Sequence, residues 1–72
     1  MTGNELLRRL RRFGRQRGVV VRYDPRLGRG SHGALYYGGR RTTVKDLRKE
    51  LSPGLLRDML AQLGLSRRDL EE

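Results

Sequence analysis

Cysteine is absent from this 72-residue chain. That excludes disulfides, thiolate metal sites and thiol nucleophiles. Tryptophan is absent too, and phenylalanine and histidine each occur once. With a single imidazole, a metal site would have to be built from carboxylates, and the eight acids are scattered, without ligand spacing around His32. No metal and no cofactor is therefore expected. Long apolar runs are also missing, so nothing is expected to span a membrane. The opening MTGNELLRRLRRFG lacks the unbroken apolar stretch of a signal segment, which points to the cytosol.

Acids are scarce as well: 8 Asp+Glu stand against 17 Lys+Arg, for a net charge of +9 and a pI near 11.4. Hydrophobic and charged residues each make up 35% of the chain, a polar balance for a folded protein. A chain this short leaves roughly 40% of its unfolded-state surface exposed after folding. It has room for one thin core in one domain, residues 1–72, but not for a deep cavity. The charge is one-sided: residues 1–45 hold twelve Lys/Arg and two acids, whereas residues 46–72 hold five and six. All but Lys45 and Lys49 of the cations are Arg, whose planar fork suits phosphate. A polyanion partner follows, nucleic acid ahead of membrane.

Apolar spacing supplies the elements. Thr2-x-x-Glu5 fits a capping box, and Leu6, Leu7, Leu10 and Phe13 follow at helical spacing. A helix over 3–13 is expected, with Gly14 as its stop and Arg8, Arg9, Arg11 and Arg12 on its wet side. The β-branched run predicts a first strand at 18–23. Asp24-Pro25 opens a loop, HGALYY predicts a second strand at 32–37, and Gly38-Gly39 suits a tight turn into a third at 40–44. Ser52 and Pro53 mark the start of a second helix, and Leu55, Leu56, Met59, Leu60 and Leu63 form its stripe. Residues 66–72 are expected to be a tail with one frayed turn. The fold class is α+β, in the order α-β-β-β-α, with a three-stranded antiparallel sheet and both helices on one face.

A two-residue turn at Gly38-Gly39 sets the register. It places Gly33, Leu35, Tyr37, Arg40, Thr42 and Val44 on one face. His32, Ala34, Tyr36, Arg41, Thr43 and Lys45 fall on the other, the expected open one. Attack on an RNA phosphodiester by its own 2′-OH fits this second set. The substrate supplies the nucleophile, and the protein needs a group that moves a proton and cations that stabilise the phosphorane. An imidazole titrates near neutrality, which suits His32 to the first task. Lys45, Arg41 and Arg29 are placed to hold phosphate, and Tyr36 to stack on a base. On composition alone the plainer reading of His32, an exposed strand residue without a role, carries more weight.

Gly30-Ser31-His32-Gly33 changes that weighting. Together with the TGNELL opening, the LYYGGRRTTVK hairpin and PGLLRDMLAQLGLS in the last helix, it resembles the HicA family, the small toxins of bacterial and archaeal HicA–HicB toxin–antitoxin pairs. The resemblance implies a fold like that of double-stranded-RNA-binding domains. It also implies metal-independent cleavage of mRNA, with His32 as the catalytic residue. A HicB-like antitoxin is expected to cover the His32 face. Gly30 and Ser31 would shape the approach to the phosphate, since Gly permits close backbone contact. Two departures stand out: Gly33 occupies a position that is often bulky or a second His, and Lys45-Asp46-Leu47 replaces a common Pro-x-His. His32 is thus the sole imidazole available. A leaving-group proton would come from water, from Tyr36, or from His32 in a second step. The competing expectation is a non-catalytic RNA-binding module that uses the same basic sheet face. A DNA-binding regulator is weaker, because no recognition helix stands out.

Overall fold

Thr2 caps the first helix as its sequence suggests, its hydroxyl oxygen accepting the Glu5 N–H at 3.2 Å. A computed structural model describes residues 1–26 and 32–71 of the chain. The elements are α1 (Gly3–Arg17), β1 (Val21–Asp24), β2 (Gly33–Tyr37), β3 (Arg40–Val44), α2 (Pro53–Gln62) and α3 (Arg67–Leu70). Helix α1 runs past Gly14, which is not its stop. Gly14 is buried where the chain returns towards the sheet, and a Cβ there would lie 2.6 Å from the Val19 carbonyl oxygen and 2.8 Å from Val21 Cγ2. The helix ends instead at Gly18, whose φ of 70° is the left-handed conformation of a helix cap. Because Gly18 is spent on the cap, β1 starts later than its β-branched run suggests, and Val20 is left 76% exposed.

The three strands form one antiparallel sheet in the order β1-β2-β3. The β2–β3 ladder pairs Gly33 with Val44, Ala34 with Thr43, Leu35 with Thr42, Tyr36 with Arg41 and Tyr37 with Arg40, the register that a two-residue turn requires. Leu35, Thr42 and Val44 are buried, and both long helices pack on their side of the sheet. From α1 come Leu6 and Leu10, with Phe13 stacked on Tyr37 at 6.0 Å between centroids. From α2 come Leu56, Met59 and Leu60, while Gln62 accepts a hydrogen bond from the buried Thr42 hydroxyl. The opposite face is not uniformly open. Arg41 and Thr43 are exposed and Tyr36 is half-buried, but Ala34, in the middle strand between Asp24 and Thr43, is fully buried.

Ser52 caps α2, its hydroxyl accepting the Leu55 N–H at 3.3 Å, with Pro53 in the first turn. The last turn is anchored rather than frayed. Ser66 and Asp69 form a reciprocal capping box, and Leu70 is 5% exposed within the core, where α3 meets α1. The N-terminus is also tied down: Leu51 donates its N–H to the Met1 carbonyl at 2.9 Å and Asn4 donates to the Leu47 carbonyl at 2.8 Å.

Candidate functional site

Strand pairing brings three side chains into one row across the sheet. Arg22 lies opposite Tyr36 on one side, and Arg41 lies opposite it on the other. Directly paired residues share a face, so the row Arg22–Tyr36–Arg41 stands on the side away from the long helices. The Arg22 guanidinium sits 4.6 Å from the centre of the Tyr36 ring. Such a contact orients the cation at the ring face and leaves its remaining N–H donors free to meet an anion. Arg22 escapes a reading that considers only the hairpin, because its place depends on the pairing of β1. The period-2 pattern of VRYD against the LYY of β2 was the available clue.

His32 precedes β2 by one residue, and Lys45 follows β3 by one, so they adjoin the last pair of the ladder, Gly33 with Val44. Both line a groove of about 310 Å³ together with Thr43, Asp46 and Lys49. Its other wall includes Leu55 and Met59 of α2. The surface beside His32 is therefore not the helix-free sheet expected from the register. At this end of β3 the sheet stops, and α2 rises beside it. His32 is half-buried, while Lys45 and Lys49 are exposed.

The acids in the groove have partners of their own. Asp46 accepts the Arg48 backbone N–H at 2.9 Å and its side-chain Nε–H at 3.4 Å. The backbone hydrogen bond from Arg48 is the main cause holding the Asp46 carboxyl below its usual range. Glu50 pairs with the N-terminal ammonium. Lys45 and Lys49 have no ion pair among the described residues. The acids of the groove thus lie mainly against Arg48 and the N-terminal ammonium, with Lys49 a weaker electrostatic neighbour of Asp46, and neither Lys45 nor Lys49 is held in an ion pair among those residues.

The candidate residues thus fall into two groups. His32 and Lys45 share the groove, whereas Tyr36 and Arg41 belong to the sheet row. Four residues of extended chain separate His32 from Tyr36, about 13 Å by strand rise, and the row of Ala34 lies between them. One phosphodiester cannot lie against both, so Tyr36 is a poor source of a leaving-group proton. Arg29, Gly30 and Ser31 lie outside the described residues. A third basic surface runs along α1, where Arg8, Arg9 and Arg12 line a depression with Glu71.

Among the described residues, no group of three or more His, Cys, Asp or Glu side chains is placed to hold a metal ion. No described helix is long and apolar enough to cross a membrane. In comparisons with protein-family models, with curated proteins and with solved structures, no match to this chain is found. What stands is a small α+β domain, a three-stranded antiparallel sheet with helices packed on it, consistent with a small RNA-binding domain.

Proposed function

We propose that this protein binds RNA through its sheet row and cleaves it at His32, as a toxin of the HicA type. The observation that carries the reading is the placement of the sole imidazole in a groove with Lys45 and Lys49, whose neighbouring acids are already engaged. Neutral His32 takes the proton from a ribose 2′-OH. The freed oxygen attacks the adjacent phosphorus, and the P–O5′ bond breaks to leave a 2′,3′-cyclic phosphate. Lys45, with Arg29, three residues before His32 in the sequence, offsets the charge that builds on the phosphorane. Gly30 and Ser31 shape the approach. The 5′-oxygen takes its proton from water or from the imidazolium in a second step. No metal takes part in this scheme. The substrate is mRNA, cut independently of the ribosome, and the protein works in a bacterial or archaeal cytoplasm. A HicB-like antitoxin, acidic or neutral, would silence it by covering the His32 groove.

Growth and cleavage assays test this directly. Induced without a partner, the protein should arrest growth and deplete transcripts, and His32→Ala and His32→Gln should not. In vitro, loss of general acid–base catalysis should slow cleavage by about 10²- to 10⁴-fold. Cleavage should persist in EDTA and stop at a 2′-deoxy nucleotide. Equal toxicity of both variants, or cleavage of the deoxy site, would remove His32 from the chemistry.

The row Arg22–Tyr36–Arg41 favours a second reading, a non-catalytic RNA-binding module, because it offers cations and a π-face at a distance of about 13 Å along the strand from His32. Tight, salt-sensitive RNA binding with no cleavage of any strand would decide for it.

A further inference from the structure

We infer that the groove beside His32 holds one unstacked RNA base against Leu55 and Met59, with the attached phosphate on Lys45 and Lys49. The inference rests on the proposal that the partner is RNA, and it adds which part of the strand is gripped and by what. Leu55 is 49% exposed, one of the few large apolar side chains that the described fold leaves in solvent. It stands in the first turn of α2, directly beside the groove that contains His32. Met59, one helical turn on, is 2% exposed and closes the apolar wall from below. Val44 and Leu51 add to the apolar lining, and His32, Thr43, Lys45 and Lys49 supply polar and cationic groups beside the locally paired acids Asp46 and Glu50.

A surface that is apolar on one wall and cationic at the rim matches a nucleotide, whose base is flat and weakly hydrated on its faces while its phosphate is charged. A simple ion would need no apolar wall, and a lipid tail would not need the imidazole edge or the two ammonium groups. Volume narrows the choice further. Small-ligand pockets span about 300–1,000 Å³, and this groove, at about 310 Å³, is at the small end, the size for one ring system. A base within a duplex is stacked and cannot enter, so the strand gripped here is single-stranded or opened locally. Charge agrees with this assignment: Glu50 pairs with the N-terminal ammonium and Asp46 lies mainly against Arg48, with Lys49 a weaker electrostatic neighbour, so neither Lys45 nor Lys49 is tied up in an ion pair among the described residues.

The test uses the full chain and a fluorescent single-stranded 2′-O-methyl RNA octamer, which cannot be cut, and follows binding by anisotropy. A second set of octamers carries one abasic site, moved through the sequence. Wild type should bind the octamer with the abasic site at one particular position about 5- to 10-fold more weakly than the intact strand. Leu55→Gln, which keeps a good helix former at an exposed position, should weaken the intact strand by a similar factor and leave that abasic strand unaffected. Lys49→Gln should lower the salt slope by about 0.7, the value for one phosphate contact on a single strand. Thermal midpoints check that both variants are folded. The inference is overturned if abasic sites have no effect at any position, if Leu55→Gln weakens intact and abasic strands alike, or if a blunt duplex competes as well as the single strand. Cleavage without abasic discrimination would sink the base site and leave the proposed chemistry standing. Abasic discrimination without cleavage of a ribose strand would do the reverse.

Discussion

Gly14 illustrates how one residue type serves two opposite purposes. In the sequence it looks like a helix stop, and in the fold it is the contact that lets the returning chain lie against α1. Alanine in mid-helix is favoured over glycine by about 1 kcal/mol, but its methyl here would press on the Val19 carbonyl, and overpacking costs about 1–3 kcal/mol. Gly14→Ala should therefore lower stability on balance, by up to about 2 kcal/mol in urea denaturation. A gain would mean that the Val19 turn yields freely. Asp46 gives a pH-dependent expectation. Its carboxyl titrates below the usual range, chiefly through the Arg48 backbone N–H. A depressed folded-state value means that the stabilisation is present at neutral pH and is lost as pH falls through that lowered value. The difference in thermal midpoint between the native chain and Asp46→Asn should therefore be full at pH 7 and close on acidification. A gap that widens in acid would show that the sign is wrong.

At the scale of elements, the hairpin was the most legible part of the chain. Its register follows from one short turn and alternation, both local properties, so Leu35, Thr42 and Val44 were assignable to the core before any packing was known. The ends of α1 and β1 were less legible, because Gly14 and Gly18 look alike in sequence and only the return of the chain distinguishes them. The last turn was misread for a similar reason. Ser66-x-x-Asp69 has the spacing of a cap, but nothing local reveals that Leu70 reaches the core beside α1. Leu70→Ala should cost about 2–4 kcal/mol, as other buried Leu→Ala changes do. A domain this small holds only about 3–5 kcal/mol from its core, so the variant should be substantially unfolded at 37 °C by circular dichroism. An unchanged melting curve would show that α3 contributes nothing.

At the scale of the whole molecule, the core belongs to one face and the candidate chemistry to the opposite face and one end. That division lets the sheet row contact a polyanion without disturbing packing, whereas the groove borders the core at Val44, Leu51 and Met59. Arg22→Ala and Arg41→Ala should each weaken single-stranded RNA binding about uniformly across sequences and each reduce the salt slope by about 0.7. Tyr36→Ala should cost about 1–3 kcal/mol of binding if a base stacks there, with little change in slope. Fluorescence titration at several salt concentrations separates the two effects. An unchanged slope in both Arg variants would rule out phosphate contacts by the sheet row.

By itself the sequence determined the order of the elements, the β2–β3 register, the basic character of the surface and the presence of a single imidazole, because caps, alternation and charge act over a few residues. Only the tertiary structure decided that Arg22 joins Tyr36 and Arg41, that α2 walls the groove beside His32, and that Lys49 and Leu55 stand there with it. Those neighbours come from strand pairing and helix docking, which bring together residues far apart along the chain, and no local rule encodes that distance.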